Sequence, residues 1–284
     1  MNRNLLITGG SGYLGAQLAK AAQAQGWRVY ATYYTRPIAL TRGIAVPLDL
    51  RDADKAGAVI RNIHPLAVIH TACSNRGEQA QAIVPAAKSV ASAARELGLR
   101  LVHVSSDMVF DGEHAPYSDD TPPAPISDYG RAKAEAEALV GQLCPSAVIV
   151  RPSLIWGLDP IDHQTRWLVD GVRRLEPVTL FVDEYRCPIH EADLCSALLE
   201  LATRPDIRGP MNMGGAQALT RWDFGVKLLC ALRLAAAPYL VRQTVKQSGL
   251  VRPRDLTMIS TRATRLLKTR LRGVDDVLEG NCLS

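Results

Sequence analysis

Leu5-Leu6-Ile7-Thr8-Gly9-Gly10-Ser11-Gly12-Tyr13-Leu14-Gly15 is the stretch whose reading decides the fold. Its first four residues are apolar or β-branched and predict a short buried strand. Three glycines at a spacing of three then open a helix expected over Tyr13–Gln25, closed by Gly26. Gly9 permits a tight turn, Gly12 lets the backbone approach an anion, and Gly15 lets helix pack closely on strand. Free N–H groups and the helix dipole at such a start suit a pyrophosphate. Gly9, Gly12, Tyr13, Leu14 and Gly15 are therefore the expected binders of a dinucleotide.

Outward from this loop, short apolar runs alternate with helical patterns. Strands are predicted at Arg28–Tyr33, Ala67–His70, Arg100–Val104 and Ala147–Val150, and helices at Asp52–Asn62, Gln79–Leu97 and Asp128–Leu143. This alternation predicts an α/β protein with a parallel, doubly wound Rossmann sheet. Ligands then lie at the strand C-termini. Beyond Arg151, prolines at 152, 160, 177, 188, 205 and 210 cut the chain into shorter pieces. The expected division is a cofactor-binding domain over 1–153 and a smaller C-terminal α/β substrate lobe over 154–284. A helix at Ile189–Thr203 is expected to carry segment 187–204 back onto the main sheet.

The chain has 284 residues, 47% of them apolar and 21% charged, with a net charge of +5. These values suit a globular protein with a sizeable core. Arginines crowd the C-terminal third, as in Arg252-Pro-Arg254, without the aromatic interleaving of a nucleic-acid surface. A small phosphate-bearing substrate is the expected partner, and no nucleic acid. Six cysteines at 73, 144, 187, 195, 230 and 282 form no Cys-x-x-Cys pair and no zinc-like spacing. Neither a signal peptide nor a membrane span is read, so the expectation is a reduced, cytoplasmic protein without a metal.

Three further motifs carry chemistry. Strand Arg28–Tyr33 runs into Tyr34-Thr35-Arg36. An acidic residue there would hold the ribose 2′-hydroxyl of NAD, whereas Arg36 suits a 2′-phosphate in bidentate fashion. NADP(H) is the preferred cofactor, with NAD(H) open. Second, Tyr129 stands four residues before Lys133, one helical turn away on the same face. A tyrosine can protonate a developing alkoxide if its pKa falls from about 10 toward neutrality. Such a shift of ~3 units requires about 4 kcal/mol of phenolate stabilisation, which the Lys133 charge is expected to supply. Third, Ser106 closes Val102-His-Val-Ser-Ser106 at a strand end, where its hydroxyl can orient a carbonyl oxygen. Ser106, Tyr129 and Lys133 are the expected catalytic residues.

The Gly-x-x-Gly-x-x-Gly loop followed by Tyr-x-x-x-Lys resembles the short-chain dehydrogenase/reductase superfamily, over most of the chain. The nearer resemblance is to its extended branch acting on nucleotide sugars, the dTDP-4-dehydrorhamnose reductase family. It is carried by Val104-Ser-Ser-Asp-Met-Val-Phe-Asp-Gly112, Tyr117, Pro122, Ser127-Asp-Tyr-Gly-Arg-Ala-Lys-Ala-Glu135, Val150-Arg-Pro-Ser-Leu-Ile-Trp-Gly157 and Phe181-Val-Asp-Glu-Tyr-Arg-Cys-Pro-Ile189. The resemblance implies that Asp49 and Leu50 contact adenine, that Thr71 and Ala72 line the cofactor cleft, and that Lys133 bonds the nicotinamide ribose. Met108 stands where these reductases have tyrosine and sugar dehydratases have a catalytic glutamate, which argues against a dehydratase. Ile83-Val-Pro85 stands where family members commonly carry an asparagine.

Asp107, Met108, Trp156 and Arg186 are the candidate substrate contacts. For Asp107 the alternative is a local cap, for Trp156 a packing role, and for Arg186 a surface position. Cys73 is expected to line the cleft, and His70, His103 and His190 to be core histidines. Asp183-Glu184 carries weak metal potential. The function implied is an NADP(H)-dependent reductase of a nucleotide-linked 4-keto sugar, 6-deoxy or not. Two alternatives stay open: a nucleotide-sugar epimerase, or a non-catalytic NADP-binding regulatory subunit such as that of methionine adenosyltransferase, which also resembles this family. The chain is expected to be a monomer, or a homodimer with the Gln79–Leu97 helix as its candidate face.

Overall fold

The computed structural model describes residues 3–38, 40–73, 81–235 and 237–282. Its centre is a seven-stranded parallel sheet in the order β11-β6-β5-β4-β1-β2-β3. The strands are β1 (Asn4–Thr8), β2 (Arg28–Tyr33), β3 (Gly43–Pro47), β4 (Ala67–His70), β5 (Arg100–Val104), β6 (Val148–Pro152) and β11 (Gly209–Met213). The chain winds outward from β1 in one direction through β2 and β3. It then returns to β4 and winds the other way. The crevice between β1 and β4 is thus the switch point at which an open α/β sheet binds its ligand.

Apolar residues at alternate strand positions feed two cores, one on each face of the sheet. Ile7, Ile69, Val102, Val104 and Val150 pack beneath α1 (Tyr13–Ala24) and α6 (Glu191–Ala202). Leu6, Val68, Leu101 and Ile149 pack beneath α2 (Ala53–Ile63), α3 (Ile83–Glu96) and α4 (Asp128–Leu143). Pro85 stands in the first turn of α3, where its missing N–H leaves no intrahelical bond unmade. The expected helix start at Gln79 lies outside the described residues. α3 buries eight of its 14 residues within the chain, which leaves only a narrow strip of it for a partner.

The C-terminal half interleaves with the sheet more deeply than expected. Besides α6, strand β11 joins the sheet edge beside β6. The remaining elements form a lobe of β7 (Ile155–Trp156), α5 (His163–Arg173), β8 (Val178–Phe181), β9 (Tyr185–Arg186), β10 (Ile189–His190), β12 (Leu219–Thr220), α7 (Arg221–Ala231), β13 (Leu240–Gln243), α8 (Val245–Ser248) and α10 (Val274–Cys282), while α9 (Thr261–Leu266) packs on β11 in the α1–α6 core. No helix among the described residues is long and apolar enough to cross a membrane.

Candidate active site

The β1–α1 turn has the geometry that its glycines predict. Gly9 sits at φ +73°, and Gly12 N–H closes the turn on Gly9 O at 3.0 Å. A Cβ on Gly15 would strike the Gly9 carbonyl, so only glycine lets α1 start so close to β1. No acidic residue stands in the first turn of α1, which keeps its N-terminus open to an anion. The side chains of Tyr13 and Leu14 do not serve the turn. Leu14 packs into the α1–α6 core. Tyr13 donates to Pro160 O at 3.1 Å, in space that Gly157 leaves beside it. These two residues offer the turn only their backbone N–H groups.

A cleft of about 450 Å³ opens above this turn. Gly9, Gly12, Arg36, Asp49, Leu50, Thr71 and Ala72 line it, as expected, together with Tyr34, Arg51, Cys73 and Ile83. Thr71 is fixed by a 2.6 Å bond from its hydroxyl to Thr8 O. The Asp49 carboxylate is engaged by Arg51 at 2.6–3.0 Å, which holds it below the usual carboxylate range. Arg51 also bonds the Tyr34 hydroxyl at 3.0 Å and lies over that ring. Exposed Arg36 reaches back to Ser11 O at 3.4 Å. The cleft therefore carries two guanidinium groups at its β2–β3 end. Arg51, in the turn between β3 and α2, was missed because β3 is a half-exposed edge strand with weak periodicity.

At the other end, β5 delivers Ser106 and α4 delivers Tyr129 and Lys133. Ser106 caps a single 3-10 turn, accepting from Met108 N at 3.2 Å. Ser127 caps α4, accepting from Gly130 N at 3.1 Å. Gly130 is what allows α4 to abut the 3-10 turn: a Cβ there would collide with the Met108 carbonyl. The Tyr129 hydroxyl meets Ser106 and also the Cys73 thiol, which links the pair to the cleft. Lys133 is buried, with Nζ donating to Val104 O at 2.6 Å.

The electrostatics differ from the expectation. Burial, then the Cys73 and Asp107 charges, push the Tyr129 phenol well above its ordinary value, and only the Ser106 bond works against them. The reason is geometric. Lys133 turns one of its donors to a strand carbonyl, and burial lowers its own proton affinity. One turn further along α4, Glu137 holds Arg151 of β6 in a buried bidentate pair at 2.8–3.1 Å. Arg151 also ties down the carbonyls of Asp119 and Thr121. Removing either partner of such a pair costs about 3–5 kcal/mol, so it anchors the helix that carries Tyr129.

The candidate substrate residues divide. Asp107 is buried, receives Ser106 and Ser153 hydroxyls at 3.2 and 3.1 Å, and is raised above the usual carboxylate range by burial. Ser106, not Asp107, makes the local cap. Met108 packs with Phe110, Tyr117 and Leu256. Trp156 is only 1% exposed and edge-packed against His190 and Phe224, so it belongs to the core of the lobe. Arg186 is no surface arginine: it is buried 3.1 Å from Glu184 and 3.8 Å from Asp107. Arg252 also pairs with Glu184, at 2.7 Å, and Arg221 lies beside the group. Sequence reading missed this cluster because its members come from four separate segments. Glu184 is thus committed to arginines, and Asp183 accepts from Val245 N at 2.8 Å, which removes the pair as a metal site.

The Val109–Gly112 motif proves structural. Tyr117 stacks on Phe110 at 4.2 Å, donates to Asp111, and accepts from Gly112 N at 2.8 Å. Gly112, at φ +84°, abuts Pro253, so the motif joins the site to the Arg252 segment.

Known proteins are similar to this chain in sequence and in fold. Methionine adenosyltransferase 2 subunit beta of Xenopus laevis is 27% identical over 83% of this chain and 74% of its own. The probable low-salt glycan biosynthesis reductase Agl14 of Haloferax volcanii is 27% identical over 78% of each chain. The dTDP-4-dehydrorhamnose reductase of Bacillus anthracis, solved with NADP, superposes with a TM-score of 0.85 at 21% identity, covering 100% of this chain and 99% of that one. Residues 3–279 match the family described as RmlD substrate binding domain. With this match over nearly its whole length and its parallel doubly wound sheet, the chain belongs to that family.

Proposed function

We propose that the chain is an NADP(H)-dependent reductase of a 4-keto-6-deoxy sugar carried on a nucleoside diphosphate. The observation that carries this reading is the meeting of Ser106, Cys73 and the Tyr129 phenol where the cofactor cleft ends. The residues fit the cofactor. The Gly9–Gly15 turn would cradle its pyrophosphate, Arg36 and Arg51 its 2′-phosphate, and Thr71 and Ala72 the inner wall. When bound, the reduced nicotinamide supplies the hydride.

The chain's own residues do the rest. Ser106 donates to the substrate carbonyl oxygen and fixes its direction. Tyr129 gives its phenolic proton to that oxygen as it becomes an alkoxide. The phenol is protonated at neutral pH, as an unshifted one would be, and the burial that raises it must be offset for the proton to leave. Lys133 lies one turn behind and stabilises the phenolate that remains. Arg186 and Arg252, with Arg221 beside them, suit the diphosphate of a nucleotide sugar. NADPH oxidation measured with dTDP-4-keto-6-deoxy sugars tests the reading, with Tyr129→Phe as control.

The curated relatives favour one second reading, a regulatory subunit. It predicts NADPH binding without consumption, and a Tyr129→Phe variant with unchanged biological function.

A further inference from the structure

A buried polar group lies behind Lys133, outside the reaction steps above. His70 and His103 stand opposite each other in the register of β4 and β5. Both turn to the α3–α4 face, as Val68 and Leu101 do two residues earlier. Their rings stack with centroids 5.2 Å apart and planes at 27°. Both are fully buried. His70 Nδ1 lies 2.7 Å from Thr8 Oγ1. His103 has no hydrogen-bond partner on either ring nitrogen among the described residues. Lys133 reaches the same place from α4, and the carbonyl it bonds belongs to Val104, the residue after His103.

Two incomplete inventories therefore meet. An ammonium has three donors, and the Val104 bond uses one. A neutral imidazole has one nitrogen that accepts. A buried imidazole with idle nitrogens carries a desolvation cost that phenylalanine, of similar shape, would avoid. We propose that His103, backed by His70 and Thr8, positions Lys133 by accepting its ammonium's hydrogen bond on a bare ring nitrogen through one buried water.

The surrounding charges are consistent with this role. Burial, followed by the Lys133 charge, holds His70 neutral down to about 3 and His103 well below its ordinary value. The imidazoles therefore offer the lysine an acceptor and no competing charge. The other groups facing Lys133 are Cys73, beyond the end of β4, and Glu137 on α4, which is already paired with Arg151. Tyr129 is the group through which the lysine acts, so the inference rests on the reductase reading.

The test compares His103→Phe with His103→Gln. Phenylalanine keeps the ring and removes the acceptor, whereas glutamine restores one. His103→Phe should bind NADPH as tightly as the parent and melt at the same or higher temperature. Its kcat should fall about tenfold, with the alkaline limb of the pH–rate profile displaced by about one unit. His103→Gln should recover part of both. Independently of turnover, nitrogen-15 NMR of the histidines should show Lys133→Met raising the pH at which His103 takes up a proton. Parental kcat and pH profile in His103→Phe would overturn the proposal, as would His103 resonances that ignore Lys133→Met. If His103→Phe does not fold, the glutamine variant and the NMR titration decide. If the parent turns over no substrate, the reductase reading fails, while the NMR titration still decides the His103–Lys133 contact.

Discussion

Gly130→Ala is a sharp test of how the site is held, because the sign of its effect depends on the structure. Gly130 is the third residue of α4, between Tyr129 and Lys133. On helix propensity alone, alanine should stabilise the protein by about 1 kcal/mol. The structure predicts the reverse. The new Cβ would overlap the Met108 carbonyl and lie 2.9 Å from Pro125 Cβ and 3.1 Å from Ser127 Oγ. The carbonyl belongs to the 3-10 turn that Ser106 caps, so it is backbone and cannot swing aside. Restoring an ordinary contact of about 3.3 Å to that oxygen requires roughly 1 Å of movement by α4 or the turn. Overpacking of this kind costs about 1–3 kcal/mol. A ~1 Å misplacement of a catalytic group costs on the order of 100-fold in rate. Urea denaturation should therefore show a loss of stability, and kcat should fall about 100-fold while NADPH affinity, set at the Gly9–Gly15 turn, holds. A variant that is more stable and fully active would refute the close α4–turn contact.

Two further outcomes follow from the cleft and the core. Arg36→Ala and Arg51→Ala should each weaken NADPH binding roughly 10- to 100-fold, from about 1.5–3 kcal/mol per charge-assisted bond, and leave NADH binding unchanged in calorimetry. The smaller loss belongs to Arg51, which is shared with Asp49. Acid should destabilise the fold early. His70 and His103 stay neutral when folded but take up protons when unfolded below about 6.5. Their stabilising effect is therefore complete above that value and is lost as pH falls, by about 1.4 kcal/mol per unit for each histidine. Unfolding free energy measured from about pH 7 to about pH 4 should fall with pH, and His103→Phe should make that slope shallower by about one proton.

Where local pattern and burial coincide, the sequence was enough. Strands Arg28–Tyr33, Ala67–His70 and Arg100–Val104 and helix Asp128–Leu143 lie at the residues read for them, because each is an apolar run or periodic stretch bounded by its own cap or turn. β3 escaped because an edge strand buries little and alternates weakly. The two-residue strands β7, β9, β10 and β12 exist only through partners far along the chain. For the site, the glycine turn and the Tyr129–Lys133 spacing were legible, since both are local. The Arg186–Glu184–Asp107 contacts were not, since they join segments almost 80 residues apart. Nor was the direction of the Tyr129 shift, which burial decides. Trp156 could be read as a ligand platform until the lobe closed around it.

In the proposed reaction Tyr129 protonates a nucleotide-linked keto sugar as NADPH is consumed. The most direct measurement mixes protein and NADPH with a dTDP-4-keto-6-deoxy sugar and follows the absorbance of reduced nicotinamide, in parent and Tyr129→Phe. Stoichiometric oxidation by the parent, with binding but no oxidation by the variant, is the expected result. Equal oxidation by both, or tight NADPH binding with no oxidation by the parent on any such sugar, would contradict it.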